Sequence, residues 1–187
     1  GQMGIGHVRY PTAGSEDREL SQPMYVNSPY GISIAHNGNL TNSEELSEIL
    51  VNENLRHLNT DSDSEVLLNI FAYELQKQGS VKPSAADIFA AVRATHKRVR
   101  GAYSVVIMIN GIGVVGFRDP FGIRPLILGS KENDLLGNDY IVASESTVLK
   151  SLGFSVIDDV SAGSAVFISS EGSMEIESCI DNPVPTP

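Results

Sequence analysis

A chain of 187 residues, 41% of them hydrophobic, is long enough for one domain with a substantial buried core. Its formal net charge is −10 and its basic residues are scattered, which disfavours nucleic acid or an anionic membrane as a partner. One cysteine excludes an internal disulfide framework, and no apolar run approaches the length of a membrane span. These features are typical of a cytoplasmic protein.

Strands are predicted at both ends of the chain. Apolar runs indicate strands over residues 3–10 and 24–36, the second interrupted by a turn at residues 27–31. Later apolar runs, rich in β-branched residues, indicate strands at residues 103–109, 113–117, 126–128, 140–143, 156–157, 165–168 and 174–176.

Helices are predicted between these two groups of strands. Capping-box patterns start a first helix at Thr41, which runs to Asn52, and a second at Ser62. A third helix covers residues 84–99, with apolar residues at helical spacing.

Strands, then helices, then strands joined by hairpins indicate an α+β fold rather than an alternating parallel one. The central strands are apolar on both faces, so each sheet needs a cover on both sides. This favours a layered sandwich with two sheets inside and helices outside.

Asn37 and Gly38 have two open interpretations. Asn-Gly between apolar residues is typical of a type I′ hairpin turn. Alternatively, the backbone N–H of a glycine can approach a ligand closely, and the asparagine amide can supply a second donor. Two such donors can form an oxyanion hole for a tetrahedral intermediate.

Arg9 and Asp63 carry opposite charges that suit a zwitterionic ligand. Arg9 lies beside a Pro-Thr-Ala-Gly-Ser stretch, where its guanidinium could bind a carboxylate or form a surface ion pair. Asp63 lies one residue into a predicted helix, where its carboxylate could bind an ammonium group or simply stabilise the helix dipole. With Asn37 and Gly38, these residues suit a small zwitterion whose amide carbonyl is attacked.

The sequence disfavours a metal site. Residues 61–72 imitate the opening of a calcium loop, but Val66 stands where glycine is required and Ala72 where glutamate is required. The four histidines lack metal-ligand spacing with one another or with Cys179. We expect Cys179 to be an inert thiol.

Two further motifs lie in the second half of the chain. Residues 111–116 match a dinucleotide fingerprint, but the match falls inside a predicted hairpin with no helix after it. Residues 119–125, Asp-Pro-Phe-Gly-Ile-Arg-Pro, predict a rigid loop that presents Asp119 and Arg124, with an ion pair between them as one option.

Six motifs span nearly the whole sequence: GHVRYPTAGS (6–15), YGISIAHNGNLTN (30–42), NTDSDSEVLLNIFAYEL (59–75), RGAYSVV (100–106), FRDPFGIRPL (117–126) and ASES (143–146). Through these motifs the chain resembles the glutaminase domain of the amidophosphoribosyltransferase family, a class II glutamine amidotransferase domain. The related glucosamine-phosphate synthase family has a Trp-x-Thr-His-Gly type sequence at the first of them.

The resemblance implies an N-terminal-nucleophile hydrolase with a four-layer αββα sandwich. At the matching positions, the Asn37 side chain and the Gly38 N–H would form the oxyanion hole. Asp63 would bind the α-ammonium group of glutamine.

The resemblance also assigns the stretch that begins at Arg9. Arg9 would bind the α-carboxylate of glutamine, Thr12 would contact the substrate, and residues 9–20 would close over bound glutamine.

The resemblance further predicts that residues 1–178 are an N-terminally truncated amidotransferase domain and that 179–187 begin a linker to an absent phosphoribosyltransferase domain. The nucleophile would be a cysteine at the mature N-terminus, so we expect the 187 residues alone to release no ammonia. These residues would need no cofactor or metal, whereas Mg²⁺ and phosphoribosylpyrophosphate would bind the transferase domain.

The full-length protein would be a homo-oligomer that makes 5-phosphoribosylamine for purine synthesis. The alternatives are the glutaminase domain of another class II enzyme, such as glucosamine-6-phosphate synthase, and a non-catalytic glutamine-binding relative.

Overall fold

The computed structural model describes residues 2–8, 20–133 and 137–181. Four helices and nine strands lie within these ranges. In chain order they are β1 (Met24–Val26), β2 (Ile32–Leu40), α1 (Ser43–Asn52), α2 (Asp63–Gln76), α3 (Ala85–Arg98), β3 (Gly101–Ile109), β4 (Gly113–Arg118), β5 (Ile127–Asn133), β6 (Gly137–Ala143), α4 (Ser146–Ser151), β7 (Ser155–Asp159), β8 (Ser164–Ser169) and β9 (Met174–Ser178).

The strands form two antiparallel sheets. One sheet has the order β1-β2-β3-β4-β8-β9, and the other has the order β6-β5-β7. Helices α2 and α3 pack on the first sheet with α1 against α2, and α4 packs on the second sheet. The predicted α+β class and the four-layer αββα sandwich are therefore confirmed.

Two apolar cores separate the layers. The larger lies between the helices and the six-stranded sheet and includes the fully buried side chains of Ile34, Phe71 and Phe117. Because α2 lies between α1, α3 and the sheet, nearly all its residues are buried. The smaller core lies between the sheets, with Leu128 from β5 and Val166 from β8. None of the helices in the described ranges is long and apolar enough to span a bilayer.

The helix starts differ from the predicted capping boxes. The prediction at Thr41 is wrong, because α1 begins at Ser43 and its N-cap residue, Asn42, makes no side-chain cap. The Asn42 amide instead binds the main chain of Arg98 (3.0 Å) and Arg100 (2.9 Å), fastening α1 to the end of α3. A complete capping box forms only at α3 among the described helices.

The first predicted strand does not form over residues 3–8. The residues themselves alternate between half-buried and exposed, as in a strand. No strand pairs with them among the described residues. The burial pattern of a strand is therefore present without the hydrogen bonds of a sheet. Residues 9 and 10 of that prediction lie outside the described ranges.

The end of the described chain is packed. Cys179 is 3% exposed within the larger core, and its N–H donates to the Gly163 carbonyl at 2.9 Å. Packing therefore continues through Cys179, whereas the domain boundary at 178 and the linker after it stay predictions. Burial raises the pKa of the Cys179 thiol to about 11, which makes the thiol a poor nucleophile near neutral pH.

His96 makes the stability of this fold depend on pH. Its ring Nδ1 lies 2.7 Å from the Tyr103 hydroxyl, inside the larger core. Burial lowers the pKa of His96 to about 4, against an ordinary value of 6.5. As the pH falls, the unfolded chain therefore takes up this proton before the folded chain does. The contribution of His96 to the free energy of unfolding is fully present above about pH 6.5 and is lost as the pH falls toward 4.

We expect His96 to remove on the order of 2 kcal/mol of unfolding free energy between pH 7 and pH 5. Urea unfolding of the chain and of His96→Gln at both pH values measures this contribution. The pH-dependent loss should shrink in His96→Gln and stay unchanged in His57→Gln, because His57 is exposed. An equal loss in His96→Gln and the unsubstituted chain contradicts the prediction.

Candidate functional site

Asn37 and Gly38 lie inside β2 and do not form a hairpin turn, so that interpretation is wrong. In the ladder with β3, Asn37 pairs with Ser104 and Gly38 pairs with Tyr103. The Asn37 side chain is exposed, which leaves its amide available to a ligand.

Gly38 occupies a position that only glycine fits. Its φ is +145°, and a Cβ built there would lie 2.0 Å from the Ala102 carbonyl oxygen across the ladder. Both the left-handed backbone and the close approach of β3 therefore require a residue without a side chain.

The alternation of β2 determines which way its backbone groups point. The Asn110 N–H donates to the Gly31 carbonyl, which fixes the alternation. The backbone N–H and C=O groups of odd-numbered β2 residues therefore point toward β3, and those of even-numbered residues point toward the opposite edge of the strand. On that edge the ladder with β1 ends at Ile34. Beyond it, side chains replace a strand: the His36 N–H donates to Gln22 Oε1 at 2.7 Å, and the Leu40 N–H donates to Asp63 Oδ2 at 3.0 Å.

The Gly38 N–H lies between these two satisfied donors. Its partner residue Tyr103 directs both backbone groups away from β2, because its N–H donates to Asp119 Oδ2 and its carbonyl accepts from the Asp119 N–H. No described hydrogen bond uses the Gly38 N–H. An outward-facing backbone donor next to the Asn37 amide is the arrangement that an oxyanion hole requires.

Asp63 is the first residue of α2 and lies close to this edge. One carboxylate oxygen accepts from Leu40, two residues beyond Gly38, and the side chain is 23% exposed. The second oxygen, Oδ1, lies 3.5 Å from Ser64 Oγ, too far for a strong hydrogen bond. The carboxylate can therefore accept from a ligand ammonium group.

His36 lies beside Asp63 but does not neutralise it. Its Nδ1 is 3.9 Å from Asp63 Oδ1, within ion-pair distance. Burial lowers the pKa of His36, and this effect, aided by repulsion from a protonated His7 and from the Arg124 guanidinium, outweighs the opposing influence of Asp63. The ring is therefore neutral near pH 7, and the Asp63 charge remains available to an external cation.

Glu65 shapes the turn before α2. Its two oxygens accept four hydrogen bonds from the backbone and side chains of Asn59 and Thr60. Burial disfavours the charge, but the four bonds outweigh it and lower the pKa of Glu65. Both oxygens are thus used by hydrogen bonds within the protein.

The loop at 119–125 is held by hydrogen bonds from both sides, but the suggested ion pair between Asp119 and Arg124 is wrong. The fully buried Asp119 carboxylate accepts from the N–H groups of Phe121 (2.8 Å), Ile123 (3.2 Å) and Tyr103 (3.2 Å). The Arg118 guanidinium holds the loop from the other side by donating to the Arg124, Val160 and Gly122 carbonyls.

A cavity of about 1520 Å³ lies between the two sheets. His36, Asn37 and Ser104 border it, and residues 2–8 line another side. Gly38 and Asp63 do not line the cavity, so the cavity does not define the candidate site. No cluster of metal-ligating side chains occurs in the described part of the chain.

The structure brings together three of the five predicted site residues, Asn37, Gly38 and Asp63. Arg9 and Thr12, with the closing loop through residue 19, lie outside the described ranges and remain predictions. Sequence reasoning missed the contacts that His36 makes to α2. His36 shares the inward phase of Ile32 and Ile34 in β2, and a polar residue in that phase signals a buried polar network.

The comparisons with known proteins point to one family. A family model described as a glutamine amidotransferase domain matches residues 8–151. The amidophosphoribosyltransferase of Escherichia coli K12 is 56% identical over the whole chain, which covers 37% of that protein. The enzyme of the same name from Schizosaccharomyces pombe is 54% identical over 90% of the chain, which covers 31% of it.

A solved structure is similar as well. The glutamine phosphoribosylpyrophosphate amidotransferase from B. subtilis, complexed with ADP and GMP, matches 95% of the chain with a TM-score of 0.73 and 29% identity. The chain covers 35% of that structure. It thus spans about a third of the length of these relatives.

Proposed function

The chain belongs to the glutamine amidotransferase domain family, and we propose that it releases the amide nitrogen of glutamine as ammonia within an amidophosphoribosyltransferase. The observation that carries the proposal is the open Gly38 N–H, which lies on one strand edge between the Asn37 amide and the Asp63 carboxylate. A donor for a carbonyl oxygen and an acceptor for an ammonium group match the two ends of glutamine.

The chemistry assigned to these residues is binding and charge stabilisation. Asp63 accepts hydrogen bonds from the α-ammonium group. The Gly38 N–H and the Asn37 amide donate to the side-chain carbonyl oxygen, whose negative charge grows as a thiolate attacks the carbonyl carbon. The α-amino group of the proposed N-terminal cysteine takes the thiol proton and passes it to the amide nitrogen as the tetrahedral intermediate collapses. The C–N bond then breaks and ammonia leaves, and water hydrolyses the remaining glutamyl thioester to glutamate and the free thiol.

The nucleophile is proposed to come from outside these 187 residues. Their single cysteine, Cys179, is buried in the helical core, and burial raises its pKa to about 11. Arg9 is proposed to bind the α-carboxylate and Thr12 to contact the substrate.

The acceptor of the ammonia is proposed to be phosphoribosylpyrophosphate, which is part of the name of the B. subtilis relative. A transferase domain joined through residues 179–187 would bind it with Mg²⁺ and form 5-phosphoribosylamine. The full-length protein is also proposed to be cytoplasmic and to form a homo-oligomer. The names of the similar enzymes favour this acceptor over the one used by a glucosamine-6-phosphate synthase.

Replacing Asp63 with asparagine tests the proposal in the full-length gene product. The substitution removes the charge that binds the ammonium group while keeping the shape of the side chain. We expect the KM for glutamine to rise about 30-fold or more, because losing one partner of a desolvated charge pair costs at least about 2 kcal/mol. Glutamate formation with phosphoribosylpyrophosphate present gives the KM.

Added ammonium chloride provides the control, because it bypasses glutamine cleavage. Ammonia-dependent phosphoribosylamine formation should be unchanged in Asp63→Asn, and Asp61→Asn, two residues upstream on the exposed turn, should keep the normal KM. If the unsubstituted protein binds glutamine without releasing ammonia, it is a glutamine-binding relative and the proposal fails.

A further inference from the structure

A single side chain takes the place of a strand beside β2. Gln22 accepts from the His36 N–H at 2.7 Å, and its own amide lies within reach of the His36 carbonyl at 3.4 Å. These are the two bonds that a paired strand would make with His36. Gln22 thus extends the β1 side of the sheet by one residue and stops before Gly38.

The same amide joins the sheet to the start of α2. Gln22 Nε2 donates to Ser64 Oγ at 3.0 Å, and Ser64 Oγ lies 3.0 Å from His36 Nδ1. Ser64 is 2% exposed and His36 is 4% exposed, so these contacts are shielded from water. The other ring nitrogen, Nε2, has no partner among the described residues, which leaves Ser64 as the polar anchor of the ring.

Two consecutive helix residues therefore attach to β2 on either side of Gly38. Asp63 binds the Leu40 N–H and Ser64 binds the His36 ring. Together they hold the separation between the open Gly38 N–H and the Asp63 carboxylate. That separation must match the distance between the amide carbonyl and the α-ammonium group of a bound glutamine.

Building on the proposed function, we propose that Ser64 is a positioning residue for glutamine, acting through His36 and Gln22 to hold Asp63 at the correct distance from Gly38. The hydroxyl does not touch the substrate in this role. Without the hydroxyl, the start of α2 is held less firmly against β2, and Asp63 binds the α-ammonium group of glutamine more weakly. Once glutamine is bound, the oxyanion donors remain in β2, so the chemical step is little affected.

Ser64→Ala in the full-length gene product tests this role, because it removes one oxygen without adding volume. We expect the KM for glutamine to rise about tenfold, the effect of losing one buried hydrogen bond, with kcat changed less than about twofold. Ammonia-dependent phosphoribosylamine formation should be unchanged. Gln22→Met, which removes the amide at similar length, should raise the KM in the same way.

The matched control is Thr95→Val, which removes a buried hydroxyl bonded to the Ala91 carbonyl within α3, far along the chain from the site. It should leave the KM unchanged, although it loses a comparable bond. The inference is overturned if Ser64→Ala keeps the normal KM, if its kcat falls instead, or if ammonia-dependent activity falls with it. If the unsubstituted protein shows no glutamine binding by calorimetry, the proposed function fails and this inference with it.

Discussion

Gly38→Ala is expected to lower glutamine-dependent ammonia release at least about 100-fold, because one oxyanion donor is typically worth that much. The added Cβ would lie 2.0 Å from the Ala102 carbonyl oxygen, so β2 and β3 must separate locally. This movement displaces both the N–H and the neighbouring Asn37 amide. The same strain should lower the unfolding free energy by about 3 kcal/mol.

Glutamate formation and urea unfolding of the full-length gene product measure the two effects. Gly111→Ala is the matched control, since Gly111 also has a positive φ of +70° but has no atom within 4 Å of an added Cβ. That variant should lose only about 1 kcal/mol of stability and keep its activity. Normal glutamine turnover by Gly38→Ala would show that the Gly38 N–H does not stabilise the oxyanion.

Asp119→Ala is expected to cost roughly 3 kcal/mol or more of unfolding free energy, because three backbone donors lose their acceptor. The carboxylate is fully buried and holds the N–H groups of Tyr103, Phe121 and Ile123. Tyr103 pairs with Gly38 across the ladder. The substitution should therefore also reduce glutamine turnover by disturbing β3 behind the oxyanion residue.

Urea unfolding compares Asp119→Ala with Asp119→Asn and Asp159→Ala. Asparagine keeps one acceptor oxygen and should lose an intermediate amount, whereas Asp159 is exposed on β7 and should lose less than about 0.5 kcal/mol. Equal stability of Asp119→Ala and Asp159→Ala would show that the buried carboxylate does not organise the loop.

The regular elements were largely predictable from the sequence, because periodicity reports the face that each residue buries. The turn at residues 27–31 separates β1 from β2 as predicted, and α3 begins and ends within a residue of its predicted limits. The short helix α4 was missed, since six residues carry too little periodicity to be recognised. The strand predicted from residue 3 has the apolar alternation but lacks a partner strand over residues 3–8.

The sequence by itself determined the identities and spacing of Asn37, Gly38 and Asp63, because these follow from local motifs. It left two interpretations of Asn37 and Gly38 open, a hairpin turn and an oxyanion hole. Tertiary structure excluded the turn, because both residues lie inside β2, and the approach of Ala102 across the ladder requires glycine at position 38. The oxyanion hole stays a prediction. The link from Gln22 through Ser64 to His36 also depended on tertiary structure. These residues lie 14 to 42 positions apart in sequence, and only the packing of α2 against the edge of β2 places their polar atoms within hydrogen-bond distance.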